Sequence, residues 1–334
     1  MFKKIFFALT LCTSSKLVLA DEPGNNAAPP SSVVLTAPAT SSLWTIGLEG
    51  QMMMPIDKFQ FMQAALVNPD NPTTYHNESV DNEHDYGWEA DIAYQFANTG
   101  RDVRVAYTDL NMSDTEHYAA PAGTTLYGIN GRNNPLILTG GGNIYSTASY
   151  HYRAADLTTG QLLSVGQRVT LHPFAGLRYA KIDIDGNARY YANDNTENQF
   201  LSDSTFNGLG PRAGMDVNVH LFAGFSIVGT FGSSLLVGDM NENYHINTNT
   251  ADSEQKNDET TAVIPELDES MGINYHYDLN KAMRGFDIQF GEQVVDYFNA
   301  DQHDYLGTAY VNSSLNNEDF GYHGIYLRTQ VAFA

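Results

Sequence analysis

The 334-residue sequence is poor in cysteine, in basic residues and in long apolar runs. A single Cys excludes an intrachain disulfide scaffold. The 17 Lys and Arg residues are outnumbered by 39 Asp and Glu residues, and the net charge of −22 argues against nucleic acid as a partner, because phosphate binding needs clustered basic side chains. No apolar run approaches the ~18 residues of a membrane-spanning helix. Two classes of protein remain: a soluble globular protein, and a membrane barrel in which apolar residues alternate with polar ones.

The first 20 residues have the layout of a secretory signal peptide. Lys3 and Lys4 precede an apolar stretch, and cleavage is expected after Ala20. It would remove the sole cysteine, Cys12, and change the net charge from −22 to −25, because three lysines and no acidic residue are lost. Residues 21–42, rich in Pro, Ala, Asn, Ser and Thr, are predicted to be a flexible segment. Export without cysteine is compatible with the periplasm or outer membrane of a Gram-negative bacterium.

From Trp44 onward, apolar and polar residues alternate with the period of two that is typical of β-strands. Trp44, Ile46 and Leu48 share one parity, whereas Thr45 and Glu49 share the other. Stretches of this kind lie near residues 44–54, 86–96, 103–108, 150–153, 169–179, 209–221, 225–237, 262–277, 283–298 and 320–333. Strands of ten or more residues are long for a soluble sheet, where ~5 to 6 is the mode, and have about the length that crosses a bilayer at a tilt.

The connections between these ten stretches alternate in length. Short connections lie near residues 98–100, 157–166, 222–224 and 278–282, and long polar ones near 55–85, 111–142, 186–205, 240–261 and 299–318. Outer-membrane barrels have this layout, with short periplasmic turns and long extracellular loops. The sequence therefore predicts an all-β fold over residues 43–334, a transmembrane antiparallel up-and-down β-barrel of about ten strands. A secreted β-sandwich is the alternative, since it also hides one apolar face.

A resemblance to a known family is carried by two neighbouring glycine-rich stretches. Phe206-Asn-Gly-Leu-Gly-Pro-Arg-Ala-Gly-Met-Asp216 and Gly229-Thr-Phe-Gly-Ser-Ser-Leu-Leu-Val-Gly238 resemble the Legionella-type major outer membrane protein family. The resemblance extends through most of residues 43–334 apart from the loops. It implies a pore-forming outer-membrane barrel that is exposed at the cell surface, and it leaves adhesion to host cells open as a further role.

Charged residues on the polar parity are the candidate lumen-lining and constriction residues. They are Glu49, Glu89, Asp91, Arg104, Arg153, Arg178, Arg212, Asp216, Glu266, Asp268 and Arg328. Opposed acidic and basic walls would create a transverse field that filters solutes by charge and size. The same charges would alternatively pair across the lumen and nearly close it, because small barrels are filled by their own side chains. The sequence leaves both hypotheses open.

Neither a metal site nor a cofactor is predicted. His151, His172, His220 and His276 fall on the same inner parity, but their spacing shows no convergence of three or four ligands, which favours polar lumen lining. The long connections are rich in Asp and Glu without the regular spacing of a calcium loop. A solvated acidic surface is the preferred interpretation, with cation bridging to lipopolysaccharide as the alternative.

The predicted function is passive diffusion of small hydrophilic solutes through a porin-like barrel, with acidic surface loops available for host-cell contact. A non-conducting structural or adhesive barrel is the first alternative. An omptin-like protease is the second, because Asp301 and His303 would lie on one face of an extended strand, with Asp81 or Asp85 opposite. The main prediction is that the chain is not an enzyme. Outer-membrane lipid and lipopolysaccharide are its expected surroundings, and an oligomer is allowed although no sequence feature identifies an interface.

Overall fold

The structure is a computed structural model that describes residues 41–56, 60–66, 74–120, 125–128, 136–139, 141–192, 197–248, 251–256, 259–279, 283–305 and 314–333. Within these ranges the strands are β1 (Leu43–Pro55), β2 (Gln60–Leu66), β3 (Thr74–Ser79), β4 (Asp85–Gln95), β5 (Arg101–Ala120), β6 (Thr125–Gly128), β7 (Leu136–Thr139), β8 (Gly142–Gln161), β9 (Leu163–Val165), β10 (Val169–Ala192), β11 (Glu197–Phe222), β12 (Phe225–Thr248), β13 (Ala251–Lys256), β14 (Thr260–Tyr277), β15 (Met283–Tyr305) and β16 (Ser314–Phe333). The predicted signal peptide lies outside the described residues, as does nearly all of the predicted flexible segment.

Ten of the described strands form a closed antiparallel barrel, which confirms the predicted fold. Their order is β11-β10-β8-β5-β4-β1-β16-β15-β14-β12, and β11 pairs with β12 to complete the ring. β9 and β13 pair with β10 and β12, and β2, β3, β6 and β7 form a four-stranded sheet of their own. In the described part of the chain, no helix is long and apolar enough to cross a bilayer.

Tight turns and both ends of the barrel segment lie at one end of the ring, here called the short-turn end. Trp44 of β1 is opposite Phe333 of β16 and Tyr94 of β4, close to the turn that leads into β5. Between β11 and β12, Ala223 and Gly224 adopt left-handed φ angles of 47° and 84°. A Cβ atom on residue 224 would lie 2.5 Å from the carbonyl oxygen of His276, so this turn requires glycine.

The half of the barrel next to the short turns has an apolar outer face. On β11, Leu209 and Leu221 point outward and are 54% and 43% exposed, whereas Arg212 points inward and is buried. Exposed apolar side chains of this kind occur on all ten strands, among them Leu48, Trp88, Val105, Leu157, Leu177, Leu209, Phe231, Ile273, Phe290 and Leu327. They form an apolar belt around the ring, as a wall in contact with hydrocarbon requires.

In the half of the barrel away from the short turns, the apolar side chains point inward and the polar side chains point outward. On β10, Leu177 is exposed on the outer face, whereas Ile182, Ile184 and Tyr190 further along the strand point inward and are buried. The outward positions there are polar, and Lys181 is one of them. A wall in contact with water hides its apolar residues, so this half of the barrel is packed like the core of a soluble protein.

The connections opposite the short turns are shorter than the sequence predicted. Within the expected loop 186–205, β10 continues to Ala192 and β11 begins at Glu197. β5 and β12 likewise continue to Ala120 and Thr248. Apolar and polar residues still alternate in these segments, but here the polar residues face outward. In the sequence such a segment resembles a solvated loop.

Two like charges face each other on the polar outer face beyond the apolar belt. Asp185 of β10 is directly opposite Asp203 of β11. Partial burial, followed by the charges of Asp203 and Asp183, raises the pKa of Asp185. Because the pKa of Asp185 is raised on folding, protonation of Asp185 favours the folded state. The repulsion between Asp185 and Asp203 therefore destabilises the fold only above that pKa.

Asp203→Asn should therefore stabilise the protein at pH 7 by about 0.2 to 1 kcal/mol, the range for cross-strand pairs. The gain should shrink as the pH falls through the raised pKa of Asp185. Urea unfolding at pH 7 and pH 4 measures both effects. Ser204→Ala, at the neighbouring inward position, is a control that leaves the charges unchanged. A gain of equal size at both pH values would contradict the repulsion.

Candidate functional site: the barrel lumen

Inward-facing side chains of the ten barrel strands enclose a polar cavity of about 420 Å³. The cavity lies within the part of the barrel that carries the apolar belt, since its lining includes Arg212 and Arg328, whose strand neighbours Pro211 and Leu327 face outward. Seven carboxylates and four guanidinium groups line it. The lumen wall is therefore charged, with acidic groups in the majority.

One group of charges, called the Arg178 cluster, joins opposite parts of the wall. It consists of Arg178, Arg212, Asp156, Glu266 and Asp268. Arg178 donates to Asp156 through Nε and Nη2 at 2.7 and 2.6 Å, and its Nη1 donates to Glu266 Oε1 at 2.5 Å. Arg212 donates from Nη1 to both oxygens of Glu266 at 3.3 Å and also pairs with Asp268. Because Glu266 has no exposed side-chain surface, each guanidinium neutralises a carboxylate that water does not reach.

A second group, called the Arg328 cluster, has the same number of charges of each sign on the other side of the lumen. It consists of Arg328, Arg104, Glu49, Glu89 and Asp91. Arg328 Nη1 lies 3.2 Å from Glu89 and 3.6 Å from Glu49, and Arg328 also pairs with Asp91. Arg104 lies 3.3 Å from both Glu89 and Asp91. Two arginines again face three carboxylates, so each cluster carries one surplus negative charge when all members are ionised.

His172 bridges two further carboxylates in the same cavity. Its Nε2 lies 2.8 Å from Asp102 of β5, and its Nδ1 lies 2.9 Å from Asp216 of β11. Thr230 donates a hydrogen bond of 2.9 Å to Asp216. The imidazole therefore connects β5, β10 and β11 along one side of the lumen, and it fills space that an open pore would leave to solutes.

Most of the predicted lumen residues lie on the inward face. The structure brings together in the lumen Glu49, Glu89, Asp91, Arg104, Arg178, Arg212, Asp216, Glu266, Asp268 and Arg328. The sequence missed Asp102 and Asp156, which complete the His172 bridge and the Arg178 cluster. Asp156 lies between Ala155 and Leu157, and the exposed Leu157 is the sequence signal that could have assigned it to the inner face.

The predicted lumen placement of Arg153 and His151 is wrong. Their strand neighbours Tyr152 and Ala154 are buried inside the barrel, so both polar side chains point outward. Arg153 Nη2 lies 3.6 Å from Asp183, and His151 lies 3.7 Å from Asp109. The prediction placed these polar residues inside because it assumed that apolar residues face outward. This part of β8 lies beyond the apolar belt, where the apolar residues face inward.

A layer of aromatic side chains, which the sequence did not reveal, fills the lumen beside the Arg178 cluster. It consists of Tyr152, Tyr297, Phe320 and Tyr322, each at most 2% exposed. The hydroxyl groups of Tyr152 and Tyr297 are 2.7 Å apart, and the rings of Tyr152 and Tyr322 are 5.2 Å apart between centroids. This aromatic layer closes the lumen on the side away from the short turns.

The remaining histidines of the predicted lumen lining, His220 and His276, contact neighbouring polar side chains. His276 lies 3.0 Å from Asp287, and His220 is 3.5 Å from the hydroxyl of Thr170. Among the described residues, no group of three or more His, Cys, Asp or Glu side chains is arranged to hold a metal ion. Asp301 is buried, and the side chain of His303 lies outside the described residues.

The sequence profile described as "Legionella pneumophila major outer membrane protein precursor" matches residues 36–333. The chain belongs to the Legionella major outer membrane protein family. As a family member with a closed barrel and an outward apolar belt, it is an outer-membrane protein. A search of curated proteins finds no match to the chain.

Solved structures with a similar chain path are outer-membrane barrels. The outer membrane protease OmpT from Escherichia coli shares 8% identity at a TM-score of 0.41, covering 88% of this family member and 97% of that protein. The toluene transporter TodX of P. putida shares 8% identity at a TM-score of 0.28, with 88% and 90% coverage. A FadL homologue of Pseudomonas aeruginosa shares 6% identity at 0.24, with the same coverage.

Proposed function

We propose that this family member is a narrow outer-membrane pore through which small hydrophilic solutes diffuse passively, with cations favoured over anions. One observation carries the proposal: the 420 Å³ cavity lies inside the belt region, and its wall has seven carboxylates against four guanidinium groups. A polar lumen offers charged solutes a route that hydrocarbon denies them. The surplus of carboxylates attracts cations and repels anions.

The conductance is expected to be small. The Arg178 cluster, the Arg328 cluster and the His172 bridge all extend side chains into the lumen, and the aromatic layer closes one side of it. In a barrel of this size the lumen is just wide enough for the wall's own side chains to fill. The conformation described is therefore the closed one, and passage requires the aromatic layer to move.

Single-channel recording in planar bilayers tests the pore. Under a KCl gradient we expect small conductance steps and a reversal potential that favours K⁺. Asp102→Asn should move the reversal potential toward zero, since it removes a lumen carboxylate. Asp109→Asn is the matched control, because Asp109 makes the same charge change on the outer face of the same strand, beside His151.

Two results would contradict the proposal. One is a reversal potential that favours Cl⁻. The other is the absence of any conductance from protein whose heat-modifiable migration on gels shows an intact barrel.

A structural or adhesive barrel is the second candidate, and the aromatic layer favours it. A lumen that stays closed leaves the outer surface as the functional part, with strands such as β11, 26 residues long, carrying polar side chains well beyond the apolar belt. That surface would face lipopolysaccharide and host cells. Binding of the purified barrel to host cells, combined with absence of conductance, distinguishes this candidate from the pore. That the chain is not an enzyme stays a prediction.

A further inference from the structure

A group of aromatic rings interrupts the polar outer face beyond the apolar belt. Tyr145 of β8 points outward and is 45% exposed. Its ring stacks on that of His117 of β5, with centroids 4.4 Å apart and 14° between the planes, and meets Tyr191 of β10 edge-on at 5.8 Å. The other outward positions of β8 and β10 around them are polar. The three rings are therefore exposed on a wall that otherwise presents polar side chains to water.

These rings border a recess of about 700 Å³ on the outer wall. Amide groups lie beside the rings: Asn143 Oδ1 is 3.1 Å from His117 Nε2, and Asn187 Oδ1 accepts a hydrogen bond of 3.1 Å from Gln199. The lining residues, here called the Tyr145 recess, are Asn143, Tyr145, Thr147, Asn187, Arg189 and Tyr191. The recess therefore combines flat aromatic surface with several hydrogen-bonding groups.

Arg189 supplies the positive charge of the recess. It is exposed and lies directly opposite Tyr145 in the pairing of β10 with β8. Among the described residues it makes no ion pair or hydrogen bond, even with Glu197 on the neighbouring strand. Arg153, also outward on β8, is by contrast 3.6 Å from Asp183. The guanidinium of Arg189 is therefore available to pair with an anionic group of a ligand.

The recess faces sideways from the half of the barrel that stands outside the cell, because short turns of outer-membrane barrels lie in the periplasm. Tyr145 is eight residues beyond Arg153, the first outward charge past the belt on β8. At ~3.3 Å per residue and a tilt of about 40°, the recess lies roughly 20 Å above the edge of the belt. The outer leaflet is lipopolysaccharide, so saccharide chains anchored in the same leaflet surround the wall at this height.

We propose that the Tyr145 recess binds an acidic sugar of the core oligosaccharide of neighbouring lipopolysaccharide. The apolar C–H face of a sugar packs on the ring of Tyr145, as the exposed aromatic surface requires. The amides of Asn143 and Asn187 match its hydroxyl groups, and Arg189 pairs with its carboxylate. The contact is direct, so it needs no bridging cation, and it does not depend on whether the lumen conducts.

Calorimetric titration of the barrel, refolded in detergent without lipopolysaccharide and with EDTA present, tests the proposal. The probe is the core oligosaccharide released by mild acid from Legionella pneumophila lipopolysaccharide, which lacks lipid A and keeps an acidic sugar at its reducing end. Tyr145→Ala should weaken binding at least fivefold. Tyr86→Ala is the matched control, because Tyr86 is an outward tyrosine of β4, 76% exposed and outside the recess; binding should stay within twofold.

A second pair of measurements tests the role of the charge. Arg189→Gln should weaken binding of the same oligosaccharide at least fivefold. Reduction of the sugar carboxylate to an alcohol should weaken binding to the unmodified barrel equally, and Arg189→Gln should then add no further loss. Heat-modifiable migration on gels verifies that each variant is folded.

Four results would overturn the proposal. The unmodified barrel does not bind the oligosaccharide in EDTA, Tyr145→Ala and Tyr86→Ala weaken binding equally, or Arg189→Gln weakens binding of the reduced sugar as much as that of the acidic one. The fourth is tighter binding of sialyllactose than of the core oligosaccharide, which would assign the recess to host-cell glycans.

Discussion

Arg178→Ala is expected to lower the free energy of unfolding by about 3 to 5 kcal/mol, the cost of removing one partner from a buried ion pair. Arg178 holds Asp156 through two hydrogen bonds and Glu266 through a third, and its side chain is 6% exposed. Without it, three carboxylates share Arg212 in a region that water reaches poorly. Urea unfolding of the folded barrel in lipid vesicles measures the change.

Arg189→Ala is the matched control for this substitution. Arg189 lies on the same strand, points outward beyond the apolar belt and is exposed, so its removal should change stability by no more than about 0.5 kcal/mol. Adding Glu266→Gln to Arg178→Ala should restore part of the loss, because a neutral amide does not need a cation. If Arg178→Ala stays within 1 kcal/mol of the control, the Arg178 cluster does not stabilise the barrel.

Tyr152→Ala is expected to raise the single-channel conductance severalfold and to lower stability by about 3 to 5 kcal/mol, the range for truncating a buried aromatic residue. Tyr152 is central in the aromatic layer, with ring centroids 5.6 Å from Tyr297, 6.1 Å from Phe320 and 5.2 Å from Tyr322. Removing its ring opens the layer next to the Arg178 cluster. Planar-bilayer recording and urea unfolding measure the two effects.

Tyr152→Phe separates the ring from the hydroxyl group. It removes only the 2.7 Å hydrogen bond to Tyr297, so we expect a loss of about 1 kcal/mol and little change in conductance. A Tyr152→Ala protein that is less stable but conducts no more than the unmodified barrel would show that the aromatic layer is not the barrier to passage.

The fold could be predicted from the belt region because a strand in the membrane places apolar residues toward lipid and polar residues toward the lumen. On β1, Trp44, Ile46 and Leu48 face outward while Glu49 faces the lumen, and this parity is visible in the sequence. The lumen positions of Glu89, Arg212 and Asp268 could be predicted on the same basis. Which carboxylate meets which guanidinium could not, because Arg178 and Glu266 are far apart in sequence and meet only when the ring closes.

The errors arose where the surroundings change along one strand. On β8, Leu157 faces lipid, whereas Tyr152 is buried in the lumen and Arg153 faces water. A pattern that assigns apolar residues to the outside throughout therefore places Tyr152 and Arg153 on the wrong faces.

The pairing of β1 with β16 has a consequence for how the protein is assembled. Residues Leu43–Pro55 pair on one side with the nearby β4, but their second neighbour, Ser314–Phe333, is synthesised almost a whole chain later. Until β16 is present, one edge of β1 offers an unpaired row of amide and carbonyl groups to any extended peptide nearby. Export therefore has to keep a nearly finished sheet from pairing with the wrong strand. A translation product that stops short of its final strand is expected to aggregate instead of forming a smaller ring.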